Sequence, residues 1–286
     1  MSTLATSSAV SIRVASRSGH SSGLRAALAQ LETRLQRGAM TIAGPLGPNA
    51  ALCDRFRLLG LREADPWTFR AATRTVVVPP YGLAKSVKQG WKDAGHELLD
   101  LTLPEVRRAQ TSLQLLVAEG CRPVVAGSAE DPEALAIAGD LKGFAIAGDA
   151  DEAARLSFSP KIGIVAQPGF SPRRARLIGE ALKQRHRDAK VTFLDTTAPA
   201  MSDRERSVEE LSRWAEFVMV VGEESDASAR ALIETARRLG LPSALCATPS
   251  SASALQGCRR VLLTAGEYTP DEAIAAWLSA ATADRG

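Results

Sequence analysis

"LDLTLP" (Leu99–Pro104) and "LDTTAP" (Leu194–Pro199) are two copies of one corner. Each closes an apolar run that reads as a strand, "HELL" in the first copy and "KVTF" in the second. Each opens a helix-like segment, "EVRRAQTSLQLLVAEG" and "AMSDRERSVEELSRWAE". A strand that turns into a helix leaves its loop at the strand's carboxyl end, where α/β folds hold their ligands. A further strand-end loop, "RSGHSSG" (Arg17–Gly23), follows "SIRVA" but lacks the Leu-Asp signature.

Outward from these corners the same alternation continues. Strand-like runs are "SIRVA", "MTIA", "RTVVV", "HELLD", "RPVVA", "FAIAG", "KIGIVA", "VTFLD", "FVMVVG", "SALCA" and "RVLLTAG". Amphipathic segments such as "PRRARLIGEALKQRH" and "SARALIETARRLG" lie between most of them. Alternating β and α with short connections predicts parallel sheets with right-handed crossovers. The recurring corner predicts repeated α/β units rather than one sheet. The softest boundaries are near "DPWTFRAATR" and "GDADEAARLSFSPK".

With 286 residues, 45% of them hydrophobic, the chain can bury a sizeable core. The 35 basic and 32 acidic residues leave a formal charge of +3, and no basic stripe is interleaved with aromatics, so a nucleic-acid partner is not expected. No apolar run approaches the roughly 20 residues of a membrane span. The first residues, "MSTLATSSAVSIRVASRSGH", are Ser/Arg-rich and acid-free, like a transit peptide. However, "AVSIRVA" alternates as a first strand does, and that reading is preferred. The Ala/Arg bias suggests a bacterial chain. None of Cys53, Cys121, Cys246 and Cys258 forms a C-x-x-C pair; they read as inert thiols of a reduced, cytoplasmic protein.

An ordered set of segments resembles the IspH/LytB family, the 4-hydroxy-3-methylbut-2-enyl diphosphate reductases. "GPLGPNAALCDRFRLLG" is similar to the family's G-P-L-I-H-N-P segment. "PPYGLAKSVKQGWKDAGHELLDLTLPEV" is similar to its A-H-G-V and D-A-T-C-P-L-V segments, and "GSAEDPEALA" to G-H-x-x-H-P-E-V-E-G. "KIGIVAQPGFS", "VVGEESDASARAL" and "LLTAGEYTPDE" resemble the Q-T-T-L-S, N-S-S-N-S and I-T-A-G-A-S-A-P-D landmarks. The resemblance covers nearly the whole chain. It implies three α/β units in a pseudo-threefold trefoil around a central pocket. The expected bounds are 1–21 for a first strand packing with the third unit, then 22–102, 103–197 and 198–286 for the units.

In the family, cysteines at the corners hold a [4Fe–4S] cluster. Those positions carry Ser21, Leu103 and Ala198 here. The substrate-side histidines map to Pro48, Tyr81 and Asp131, and the catalytic threonine to Pro168 or Gly169. The Ser-Ser-Asn diphosphate clamp maps to Ser225, Asp226 and Ala227, with a one-residue gap nearby, and a later serine maps to Tyr268. Asn49, Gln167, Ser228 and Glu133, the family's proton-delivering glutamate, are retained.

The candidate catalytic residues are therefore Glu133, Asp131, Tyr81, Tyr268 and His20, with Asn49, Gln167, Ser225, Asp226, Ser228 and Glu267 binding ligand. Asp131 and Glu133 also suit a helix start as cap and first-turn acid. The two tyrosines suit a void filled by aromatics as well as a hydrogen-bonding site. From the corners we expect no cluster, and a non-redox acid–base enzyme on a small molecule in a specialised biosynthetic pathway. The alternative is a catalytically dead paralogue that binds a metabolite or a partner protein; a true diphosphate reductase ranks last. Acids at donor positions lead us to expect a neutral or cationic ligand, or one carried with a divalent metal.

Overall fold

The structure, a computed structural model, describes residues 10–248 and 257–283. The stretch weighed as a transit peptide begins outside the described residues. The fold is α/β, with three parallel four-stranded sheets. The chain forms two compact units, Met1–His20 with Asp203–Gly286, and Ser21–Ser202.

The Ser21–Ser202 unit holds two of the sheets. The first contains β2 (Met40–Ala43), β3 (Leu61–Ala64), β4 (Thr75–Val78) and β5 (Glu97–Asp100), in the order β3-β2-β4-β5. The second contains β6 (Arg122–Ala126), β7 (Ala145–Ala147), β8 (Lys161–Ala166) and β9 (Lys190–Leu194), in the order β7-β6-β8-β9. The connecting helices are α1 (Ser22–Leu35), α2 (Ala50–Leu58), α3 (Lys85–Asp93), α4 (Pro104–Ala118), α5 (Pro132–Ala138), α6 (Ala150–Ala154) and α7 (Pro172–Arg185). In the other unit β1 (Ser11–Val14) joins β10 (Phe217–Val221), β11 (Ser243–Cys246) and β12 (Arg260–Ala265), in the order β1-β12-β10-β11. Its helices are α9 (Ala227–Arg238) and α10 (Asp271–Ala283); α8 (Pro199–Leu211) runs across the boundary between the units.

Read in parallel, the three strand orders are one order. The first strand of the chain, β1, takes the place that β5 and β9 hold in the other sheets. Inner strands such as β2 (MTIA) and β10 (FVMVV) are buried almost throughout, so their sequences are unbroken apolar runs. Edge strands are only half covered. That explains β3, "LREA", which the apolar-run criterion passes over because only Leu61 is buried. In the Ser21–Ser202 unit, α4 leaves the first sheet and packs on β6 and β8 of the second. The amide of its Gln110 bridges the carbonyls of Leu83, at 3.2 Å, and Ala136, at 2.8 Å. Trp91 closes the first core: it is fully buried, edge-on to Phe69, and donates its indole N–H to Pro66 O at 2.9 Å.

Two histidines pack against aromatic rings. His186 is 3% exposed and packs beside Phe158 at the end of α7. His96 packs edge-on against Trp91, with Nδ1 3.1 Å from Thr73 O.

Candidate functional site

The corner repeats because its aspartate folds it. Asp100 Oδ1 accepts from the Thr102 N–H at 3.0 Å and from its hydroxyl at 2.5 Å. Asp195 Oδ1 does the same for Thr197, at 3.2 and 2.6 Å. This side-chain-to-backbone turn stops the strand and aims the next residues into a helix. Burial alone would push the Asp100 carboxyl up, but hydrogen bonds from Thr102 and the ammonium of Lys88 outweigh it and hold it below its ordinary value.

Past the turn, each corner hooks onto a loop from the neighbouring strand. The Leu103 N–H donates to Pro80 O and the Ala198 N–H to Pro168 O, both at 2.9 Å. Those carbonyls directly precede Tyr81 and Gly169, so each corner is tied to a loop that the resemblance marks as site-lining. Leu103 and Ala198 are buried, and Ser21 caps α1 by accepting from the Leu24 N–H at 3.2 Å. The space beside Gly23 has Leu103 Cδ2 at 3.6 Å, so the loop of Ser21 and the first corner approach each other.

The Ser21–Ser202 unit holds five of the eleven candidates: Glu133, Asp131, Tyr81, Asn49 and Gln167. Asp131 caps α5, accepting from the Glu133 N–H at 2.9 Å, and Glu133 sits in the first turn. Glu133 Oε2 accepts from the Gly169 N–H at 3.2 Å, which links the acid to the loop held by Ala198. Gln167, 1% exposed, accepts from the Ser128 N–H at 3.0 Å. Asn49 caps α2, accepting from the Leu52 N–H at 2.8 Å. Tyr81 is buried; burial first, then the charges of Glu63 and Asp131, push its phenol above its ordinary value. It remains a donor across the physiological range.

Tyr81 fits only because residue 44 is glycine. A Cβ there would stand 2.5 Å from Tyr81 Oη, and the backbone has φ +101°. Gly44→Ala is expected to cost about 2–4 kcal/mol, from overpacking and a left-handed alanine. Urea unfolding would measure it, and adding Tyr81→Phe is expected to recover only the steric part.

In the other unit, Asp226 caps α9 and is 4% exposed. Its Oδ1 accepts from Ser228 N at 2.9 Å, Ser228 Oγ at 2.6 Å and Ala229 N at 3.4 Å, and its Oδ2 from Tyr268 N at 3.2 Å. The Glu267 N–H donates to Ser228 Oγ at 2.7 Å. Ser225 is exposed and stands outside this network. His20 lies in the loop after β1 and is partly buried. Sequence reasoning missed Arg204, which is 1% exposed and has Nη1 3.4 Å from Glu267 Oε2. In "SDRERS" it looks like one charge in a solvated run; only its position on the inner face of α8 sets it apart.

The family model for the LytB protein matches residues 12–281. The chain belongs to the LytB family. This LytB-family chain is 27% identical to the 4-hydroxy-3-methylbut-2-enyl diphosphate reductase of Solidesulfovibrio magneticus, over 82% of its own length and 84% of that protein's. To the enzyme of the same name from Treponema denticola it is 28% identical, over 88% and 92% of the two chains. The solved structure of the Plasmodium falciparum E-1-hydroxy-2-methyl-but-2-enyl-4-diphosphate reductase matches the fold with a TM-score of 0.87 at 16% identity, covering 95% of this chain and 87% of that one.

These relatives overturn the expectation of a non-redox enzyme or a dead paralogue, because all are named reductases. The expectation of a chain without a [4Fe–4S] cluster rested on the same reading and is corrected with it, since the relatives are named as reductases of that diphosphate. The three corners themselves do not supply thiolates. Ser21 uses its oxygen as a helix cap, and Leu103 and Ala198 carry no donor atom in their side chains. Cys53 lies on α2, Cys121 just before β6, Cys246 on β11 and Cys258 two residues before β12, all away from the corners. Among the described residues, no three His, Cys, Asp or Glu side chains gather closely enough to hold a metal ion. Also among them, no helix is long and apolar enough to cross a membrane.

Proposed function

We propose that this chain acts on an allylic diphosphate, as a reductase of the kind for which its relatives are named. One observation carries the reading: the acids at the family's donor positions are already occupied. Two like charges 4 Å apart repel by roughly 4 kcal/mol at an effective dielectric near 20, so several bare carboxylates would exclude a diphosphate. Asp226 instead spends its oxygens on three N–H groups and a hydroxyl, and Glu267 faces the buried guanidinium of Arg204. The basis for preferring a neutral or cationic ligand falls away.

Replacing an allylic hydroxyl by hydrogen takes two electrons, supplied one at a time by an external reductant, and two protons: one leaves with the hydroxyl as water and one ends on carbon. We assign the proton that leaves with the hydroxyl to Glu133. The Gly169 N–H fixes one of its oxygens. The phenol of Tyr81, held protonated, would donate to a ligand oxygen. Gln167 and Asn49 shape the loops through their backbone partners. The electrons are assigned to no residue of the three corners. Calorimetric titration with the allylic diphosphate, without added metal, is expected to show saturable binding in the micromolar range, about −8 kcal/mol. Absence of heat and of thermal stabilisation at millimolar ligand would defeat the proposal.

A further inference from the structure

Two arginines repeat one arrangement. The helix α4 leaves the first corner, and its Arg108 donates Nη2 to Thr197 O at 2.9 Å, one residue ahead of Ala198 in the second corner. The helix α8 leaves the second corner, and its Arg204 donates Nε to Arg17 O at 2.9 Å and Nη2 to Gly19 O at 2.5 Å. Gly19 is one residue ahead of His20. In both cases the helix that leaves one corner holds backbone carbonyls within another strand-end loop.

The loop after β1 needs such a hold. Arg17 has φ +64° and Gly19 φ +76°, both left-handed. A left-handed non-glycine persists only where its surroundings enforce it. Arg204 supplies that constraint: its planar fork meets two carbonyls two residues apart, while its remaining nitrogen faces Glu267, beside Tyr268. A lysine ammonium at this depth would be a point charge unable to span both carbonyls.

We propose that Arg204 is a positioning residue that fixes the His20 loop against the Glu267–Tyr268 loop, and that Arg108 fixes the second corner in the same way. The holding of the loops stands on the geometry alone. Its consequence for turnover rests on the proposed function.

The test is hydrogen exchange on the full chain, comparing wild type with Arg204→Lys and Arg108→Met. Arg204→Lys is expected to speed exchange about tenfold at residues 18–21 while β10 and β12 stay protected. Arg108→Met is expected to do so at 196–198 and leave 18–21 unchanged. With the allylic diphosphate, Arg204→Lys is expected to lower kcat about tenfold with KM within about threefold, the split that misplaced groups give. Wild-type turnover failing while the exchange pattern appears would remove the proposed function and keep the positioning role. Exchange that rises uniformly across the unit, or not at all at 18–21, would overturn the positioning role. Should Arg204→Lys not fold, the Arg108→Met pattern decides.

Discussion

Glu133→Gln is expected to lower turnover of the allylic diphosphate by about 10²–10³-fold while the protein keeps its fold. Glutamine retains a carbonyl oxygen for the Gly169 N–H, which now reaches Glu133 Oε2 at 3.2 Å. It also retains the length and the helical position of the side chain. What it loses is the transferable proton. The first turn of α5 loses a favourable charge as well, worth about 0.3–1 kcal/mol of stability. Steady-state kinetics beside urea unfolding separates the two effects. A fall in kcat with nearly unchanged stability fits a proton donor; equal kcat would show that Glu133 only shapes the helix start. Asp131→Asn is the control, since asparagine still caps α5.

Asp226→Ala is expected to destabilise the protein by about 4 kcal/mol, combining a lost helix cap with buried donors left unpaired. The carboxylate accepts from Ser228, Ala229 and Tyr268, and it is 4% exposed, so water cannot replace it without opening the loop. The Ser228 hydroxyl also loses its acceptor, and with it the orientation in which it receives the Glu267 N–H. Asp226→Asn keeps Oδ1 but turns an amide NH₂ toward the Tyr268 N–H; a loss of about 1–3 kcal/mol is expected. Urea midpoints of the two variants test the ranking. Wild-type stability in the alanine variant would mean that Asp226 points to solvent as a spare acid.

The strand-to-helix corners were legible because each element carries its own signal. Inner strands buried on both faces spell unbroken apolar runs, and D-x-T spells a side-chain turn. The strand β3 was not legible, because an edge strand that buries only Leu61 has no such run. Glu133 and Asp131 stood out by their place before and after a helix-start proline, and they do occupy cap and first turn. How the acids of the site are paired was not legible, for a physical reason. A sequence shows an aspartate but not the four donors that converge on it, nor that Arg204 lies under Glu267 from 63 residues away. Long-range pairing decides whether an acid repels a ligand. Likewise the depth of His186 and the contact of Tyr81 with Gly44 come from tertiary packing, which local periodicity does not encode.

The central claim is that this LytB-family chain reduces an allylic diphosphate with Glu133 as its acid. One anaerobic measurement tests it: wild type and Glu133→Gln are given 4-hydroxy-3-methylbut-2-enyl diphosphate and a strong one-electron reductant, and products are followed by mass against a protein-free control. The account predicts dehydroxylated C5 diphosphate with wild type and about a hundredfold less with the variant. Product at the protein-free level with wild type, or equal product from both proteins, would contradict it.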